Sequence, residues 1–527
     1  MKSSFRLLVL AVIAVGLLAG TVGAAPNPDV RQRMNLLYTN PNNATNSDLA
    51  FWGDHAFIGY YTGDTGSPAG TAPRGGVRVF DISKPAKPTL VTDIQCDSLQ
   101  NDPIVWDRNG NGVADLLLLA VDRTMEGPEC GALRSLNPDG SPNHADPDGW
   151  EGVRVFEMSD DPANPFETVE QVAAVYTDCG AHTITLWPGK AEGPDGSLIV
   201  YVSSYPLRPG PSCGQVQGPA TGNDPLHRKI SVIEVPLDDP ASSAVIAQPP
   251  LSYPGDPDGV MDWCEKGLCP PAFEPAAVAC HDIVVHVEEN MAGAACAEQG
   301  QVWEIDPATG IPDTANPVSV IDDEVSSGGT GNIPGAVDFF HSVMFNNDGT
   351  VLNTVDESFG EGCPPMTTYA PRPWNPAGGV HKTGRMFFSD TETGEFFSEF
   401  QVGDLRPDPG PSDEFRYCSA HMGMAIMDIR RDLLVNAWYT GGVDVIDFTD
   451  PENLKEIAYY DIAGVGTAGS DNWSAYPYVG PRFKNGGTPI YASDGVHVPP
   501  TGRGFEVFRF GKRAGPSRDH LNPQTMD

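Results

Sequence analysis

One short pattern recurs along this chain, and self-similarity of that kind limits the possible folds more than any other feature. It stands first as Gly75-Gly76-Val77-Arg78-Val79-Phe80-Asp81-Ile82-Ser83-Lys84-Pro85. It returns as Glu151-Gly152-Val153-Arg154-Val155-Phe156-Glu157-Met158-Ser159 and as Gly441-Gly442-Val443-Asp444-Val445-Ile446-Asp447-Phe448-Thr449-Asp450-Pro451. Weaker copies are Lys229 to Pro236 and Gly300 to Pro307. Apolar and polar residues alternate in each copy, which reads as a half-buried strand. Each copy ends in Asp/Ser/Pro turn chemistry and leads into a second strand, as in Pro88 to Ile94.

Seven such units follow one another. The first holds Asp48 to Ile94; the second runs from Asp102 through Leu116–Val121 to Val153–Val175. The third opens at His182, the fourth at His281, the fifth at His341 and the sixth at His421. The seventh covers Trp473–Val479, Ile490–Ala492 and Phe505–Phe510. The 58 glycines and 50 prolines are spread along the chain rather than clustered, as many short strands joined by turns require. The predicted fold is all-β: a seven-bladed β-propeller of four-stranded antiparallel blades over residues 26–512, a closed ring that leaves only short protected edges. Met34 to Tyr38, apolar and alternating, remain over at the start and can add an outer strand to the last unit.

Ahead of the ring, residues 1–25 read as a signal peptide. Lys2 and Arg6 are basic, Leu7 to Gly20 apolar, and Val22-Gly23-Ala24-Ala25 small enough for cleavage. Neither that run nor any later one reaches the ~20 apolar residues of a transmembrane helix. Residues 513–527 read as a frayed tail. The formal net charge of −38 opposes binding to phosphate backbones, which excludes nucleic acid as a partner. The expectation is therefore a secreted or cell-surface monomer. Ten cysteines in an exported chain point to disulfides. Neighbours along the chain suggest Cys96–Cys130, Cys179–Cys213, Cys264–Cys269, Cys280–Cys296 and Cys363–Cys418.

The Gly-Gly-Val-Arg-Val-Phe-Asp-Ile-Ser-Lys-Pro element and Trp438 to Phe448 resemble the LVIVD-repeat secreted β-propeller proteins of bacteria. So do Asp178 to Thr183, Tyr201 to Pro206 and Tyr491 to Asp494. This resemblance spans nearly the full mature chain and implies the propeller fold; it carries no activity. Long acidic, proline-rich insertions at 124–150, 205–228 and 361–380 depart from a bare repeat, and insertions of this kind collect on one face of a ring.

Aligned by the repeat, His182, His281, His341 and His421 each open the first, innermost strand of units three to six. Asp102 stands at the corresponding place in unit two. Imidazoles converging on one channel mouth could bind copper, iron or zinc, with Asp102 as an oxygen ligand; as blade-top residues they could equally bond backbone or water. The arrangement resembles in outline the copper-holding hubs of nitrous oxide reductase and the selenium-binding-protein/methanethiol-oxidase group. Neither full motif set is present, so no activity follows. Cys179, Cys280 and Cys418 lie just before three of these histidines, where they read as disulfides pinning the loops or, alternatively, as thiolate ligands.

A second local signal is Asp107-Arg108-Asn109-Gly110-Asn111-Gly112-Val113-Ala114-Asp115. Oxygen side chains at Asp107, Asn109, Asn111 and Asp115 suit a Ca²⁺ loop, although Leu118 stands where an EF-hand has glutamate; an ordinary hairpin turn is the alternative. The pairs Asp356-Glu357 and Glu288-Glu289 read as solvated faces in so acidic a chain. No Gly-x-Ser-x-Gly elbow, P-loop or His-Glu-x-x-His motif is present. The sequence thus predicts a binding module that takes a small molecule or an extracellular protein at a histidine-lined hub mouth. The alternative is a copper or iron oxidoreductase, or a metal-assisted hydrolase, using the same histidines.

Overall fold

Seven sheets of antiparallel core strands stand in a ring, each built mainly from one stretch of the chain. The computed structural model describes residues 30–41, 44–61, 75–177, 179–191, 196–204, 210–211, 213, 228–254, 279–324, 331–358, 361–362, 365–369, 379–402, 418–427, 430–462, 470–478, 480–495, 503–511 and 525–526. The leader and the Cys264–Cys269 pair lie outside them.

Blade one is Thr45–Trp52, His55–Tyr61, Gly75–Asp81 and Thr89–Gln95; blade two is Gln100–Trp106, Leu116–Met125, Trp150–Met158 and Val169–Tyr176. Blade three opens at Ile184–Trp187, blade four at Asp282–His286, blade five at Phe340–Phe345, blade six at Gly423–Ile426 and blade seven at Asn472–Pro477. Each of these opening strands touches its counterpart in the next blade, all the way round, so they line the hub. The leftover N-terminal segment closes the ring as predicted: Met34–Asn40 pairs with Gly504–Phe510 as the outer strand of blade seven. Val30–Gln32 adds a fifth strand to blade six. Thr525–Met526 pairs in parallel with Val285 and His286 on the hub strand of blade four.

The repeat is explained residue by residue. A Cβ on Gly76, Gly152 or Gly442 would come within 2.1, 2.0 or 2.3 Å of the carbonyl oxygen of Ile94, Val175 or Tyr460 in the outer strand. Only glycine fits where that strand crosses so closely. Asp81 Oδ1 accepts the Ser83 N–H, and Asp447 Oδ1 accepts both the N–H and the hydroxyl of Thr449, so the Asp-x-Ser/Thr element is an Asx turn. In six of the seven blades the third and fourth strands slip register at a β-bulge. Bulges increase the local twist that a propeller blade needs.

Burial follows position. Inner and second strands, sandwiched between neighbouring blades, are buried along their length, as in Thr45–Trp52 and Leu116–Met125. Outer strands such as Thr89–Gln95 are mostly exposed. One apolar cluster joins Leu116, Leu118, Val153 and Val155 of blade two to Leu186, Leu198 and Val200 of blade three. Polar side chains on the hub strands reach sideways to the next blade. Thr183 donates to the His281 carbonyl (2.5 Å), Ser342 to that of His421 (2.8 Å), and Asp102 accepts the Ile184 N–H (2.8 Å).

Candidate metal centre at the hub mouth

The four repeat-aligned histidines meet. Ring centroids are 4.3 Å apart for His182 and His281, 3.8 Å for His281 and His341, and 4.2 Å for His341 and His421. All four rings are buried, at 3% exposure or less. Backbone bonds hold them there. The N–H of His182 donates to Ser203, that of His281 to Ala295 and that of His421 to Ala437, each on the second strand of its blade or just beyond it.

Their outer nitrogens face oxygen. His182 Nδ1 bonds Asp122 Oδ2 at 2.5 Å, His281 Nδ1 the carbonyl of His341 at 3.0 Å, and His421 Nδ1 the carbonyl of Trp473 at 2.5 Å. An oxygen acceptor puts the proton on Nδ1 and the lone pair on Nε2, the tautomer found in metal-ligating histidines. Burial, with the neighbouring imidazoles, holds His281 and His341 well below the usual histidine pKa. Both are therefore neutral at pH 7, the state that can ligate a metal. His341 Nδ1 is buried with no hydrogen-bond partner among the described residues, so stacking orients this ring.

A carboxylate completes the group. Glu357 Oε2 lies 3.5 Å from His341 Nε2, and its Oε1 lies 3.8 Å from His421 Nε2. Ligand atoms of His341, Glu357 and His421 all fall within 4.8 Å of one another, the one such set of histidine, cysteine or acidic side chains among the described residues. Ligands on a tetrahedral zinc-sized ion stand about 3.4 Å apart for bonds of about 2.1 Å. A modest inward shift of the side chains would bring these three atoms around one ion, and two nitrogens with one oxygen form a donor set for iron, copper or zinc. The residues fit the group.

Backbone strain is present at the same place. Gln100 (φ 69°), Asn101 (φ 58°) and Tyr439 (φ 45°) are left-handed non-glycine residues, a conformation that costs ~1–3 kcal/mol each and concentrates at functional sites. The Gln100 amide donates to His182 Nε2 at 3.3 Å. The Tyr439 hydroxyl donates to Glu357 Oε1, and its ring lies 4.4 Å from that of His421. Trp473, 4.7 Å away, flanks His421 as well, and Phe339 stands 5.5 Å from His281. The mouth is thus polar at its centre and aromatic at its wall.

Other predicted residues have different positions. Asp102 is buried, but its Oδ2 takes the Ile184 N–H, and the residue lies outside the ligand group. Asp282 takes the N–H of Val343 in blade five by the same sideways reach. The thiols are not ligands: Cys179 is bonded to Cys213 and Cys280 to Cys296, and Cys96–Cys130 is a third pair. Cys418 is also disulfide-bonded; its expected partner Cys363 lies outside the described residues.

In the 107–115 loop, Asp107 accepts the N–H groups of Asn109, Gly110, Asn111 and Gly112. Asn109 and Asn111 both reach Asp160, and Asp115 pairs with Arg108 at 2.9 Å. Without an ion these oxygens cap backbone and bind a guanidinium. Asp356-Glu357 differs from the expected solvated face. Asp356 is fully buried and Glu357 belongs to the mouth, whereas Glu288 and Glu289 are exposed. The neighbour of Glu357, Asp356, ends the second strand of blade five as Asp494 ends that of blade seven, and Asp122 lies in the second strand of blade two.

The chain is a β-propeller with seven four-stranded blades. Three disulfides are formed among the described residues, and none of their helices is long and apolar enough to cross a membrane. No protein-family model and no curated protein matches the sequence. Among solved structures it is similar to a candidate 6-phosphogluconolactonase of Bacteroides fragilis, at 9% identity over 92% of this chain and 97% of that one, with a TM-score of 0.44. A second is Raptor of Chaetomium thermophilum, at 10% identity, 92% and 30% coverage, and a TM-score of 0.45.

Proposed function

We propose that the hub mouth binds one transition-metal ion, copper, iron or zinc, through His341, His421 and Glu357, and that the chain is an exported metal-dependent protein. The observation that supports this reading best is the meeting of two imidazole nitrogens and one carboxylate from blades five and six in a largely buried cluster at the hub. Oxygen acceptors behind His281 and His421 hold their Nε2 lone pairs toward the hub, and such outer contacts commonly set ligand affinity. When bound, the ion would supply a Lewis-acid or one-electron centre with open positions. His182, held between Asp122 and Gln100, orients the next polar group along the arc. Phe339, Tyr439 and Trp473 exclude water from the wall and favour a ligand with an apolar part. The leader-like residues 1–25, the LVIVD-like repeat and the disulfides support export.

A second reading, docking of an extracellular partner, is favoured by one feature. The insertion between the second and third strands of blade five forms a small sheet of Glu361–Gly362, Pro365–Tyr369 and Gly379–Lys382, which exposes Met366 and Val380.

Metal analysis of tag-free protein, secreted from cells grown with copper, iron and zinc, tests the first reading. About one ion per chain is expected, and it should be lost in the double variant His341→Ala, His421→Ala. Metal-free wild-type protein, or equal metal in the double variant, would overturn it.

A further inference from the structure

We propose that Tyr439 is a positioning residue that restricts Glu357 to one-oxygen ligation and so keeps a coordination position open at the mouth; this rests on the metal reading above. Tyr439 follows the second strand of blade six, in the turn Trp438-Tyr439-Thr440-Gly441-Gly442. The Gly441 N–H bonds the Trp438 carbonyl at 2.7 Å, and the Trp438 N–H bonds the Gly442 carbonyl at 2.8 Å. The Tyr439 carbonyl accepts the Asn472 N–H of blade seven at 3.1 Å. These bonds hold Tyr439 at φ 45°. Glycine or asparagine takes that conformation with far less strain than an aromatic residue. A tyrosine kept there points to a task for its side chain.

That side chain touches two of the three ligands. Its hydroxyl donates to Glu357 Oε1, and its ring packs on His421 at 4.4 Å. The other oxygen, Oε2, stands 3.5 Å from His341 Nε2, nearer than the 3.8 Å between Oε1 and His421 Nε2. A carboxylate can chelate a metal through both oxygens or bind through one. With Oε1 accepting the phenol proton, binding through Oε2 alone is the arrangement the geometry favours. The coordination position that a chelating carboxylate would fill then faces the mouth. Tyr439 is only 2% exposed, so water does not substitute for its hydroxyl.

Copper(II) is the probe. Protein stripped with chelator is titrated with Cu²⁺ against a chromophoric competitor, and azide is then added to read the open position through its charge-transfer band. The wild-type protein is expected to bind one Cu²⁺ and then azide. In Tyr439→Phe, Cu²⁺ affinity should fall about 10- to 100-fold, as loss of an outer contact typically does. The copper EPR spectrum should change and the azide band weaken, while the metal-free protein still melts in one cooperative transition. Tyr439→Asn suits the left-handed backbone and should weaken binding equally if the phenylalanine variant does not fold. Cu²⁺ affinity within threefold of wild type, with a superimposable spectrum and azide response in either variant, would overturn the positioning role and leave the metal site standing. Wild-type protein that binds no better than His341→Ala, His421→Ala would overturn both.

Discussion

Replacing Asp356 with asparagine isolates one buried proton beside the proposed centre. Asp356 is fully buried; its Oδ1 accepts the N–H groups of Asp338 (2.9 Å) and Phe339 (3.1 Å), and its Oδ2 that of Gly384 (2.7 Å). Burial, and then the nearby Asp338 carboxylate, push this carboxyl up to about 8. An unfolded aspartate titrates near ~3.9. Between those values the folded chain holds a proton that the unfolded chain has lost. Stability from this group is therefore complete below about pH 4 and is lost as pH rises toward 8, at ~1.4 kcal/mol per unit. Asparagine carries no such proton. At pH 5 the variant should be less stable by ~1–3 kcal/mol, because its amide N–H₂ would face either the Gly384 N–H or the Asp338 and Phe339 pair. From pH 5 to 7 the wild type should lose roughly 2.7 kcal/mol relative to the variant, closing or inverting the gap. Urea unfolding with disulfides intact, followed by tryptophan fluorescence at both pH values, measures it. A gap that does not change with pH would refute the reasoning.

Asp102→Ala should cost ~1–3 kcal/mol through the unsatisfied Ile184 N–H, yet leave metal content unchanged, as unfolding and metal assays on the same sample would check. Replacing Cys280 and Cys296 together with alanine opens a bridge of sequence separation 16. Denaturant midpoints should then report a loss of about 3 kcal/mol, and metal binding should weaken because His281, which follows Cys280, stacks on the ligand His341 at 3.8 Å. Asp107→Ala strips an acceptor from four N–H groups, so stability should fall by ~1–3 kcal/mol. If Ca²⁺ raises the melting temperature of the wild type but not of this variant, the loop is a calcium site; equal loss in Ca²⁺ and in chelator is the outcome its hydrogen bonding predicts.

The ring was legible because its signals are local and repeated. The second glycine of the motif, the Asx turn and the alternating strand each reflect one contact that recurs in several blades. Four histidines in register were legible for the same reason, since equivalent positions on equivalent strands must face one axis. Glu357 and Tyr439 were not. They sit beyond the ends of second strands, in different blades, and meet only because the ring closes. An acidic pair in a chain with 70 acids gives no local sign of burial. Asp102 has a further partner that its own position does not announce. A carboxylate on a hub strand reads as a ligand, and its Oδ2 accepts the Ile184 N–H of the next blade at 2.8 Å. In the 107–115 loop, spacing suggests cation oxygens, but Arg108, within the same motif, takes Asp115 for itself.

Anomalous diffraction at the copper, iron and zinc absorption edges, from crystals of metal-loaded protein, tests the central claim most directly. A single peak is predicted at the hub mouth, about 2.0–2.2 Å from His341 Nε2, His421 Nε2 and one oxygen of Glu357. A hub mouth without a peak, or an ion held elsewhere with these three side chains unmoved, would contradict it.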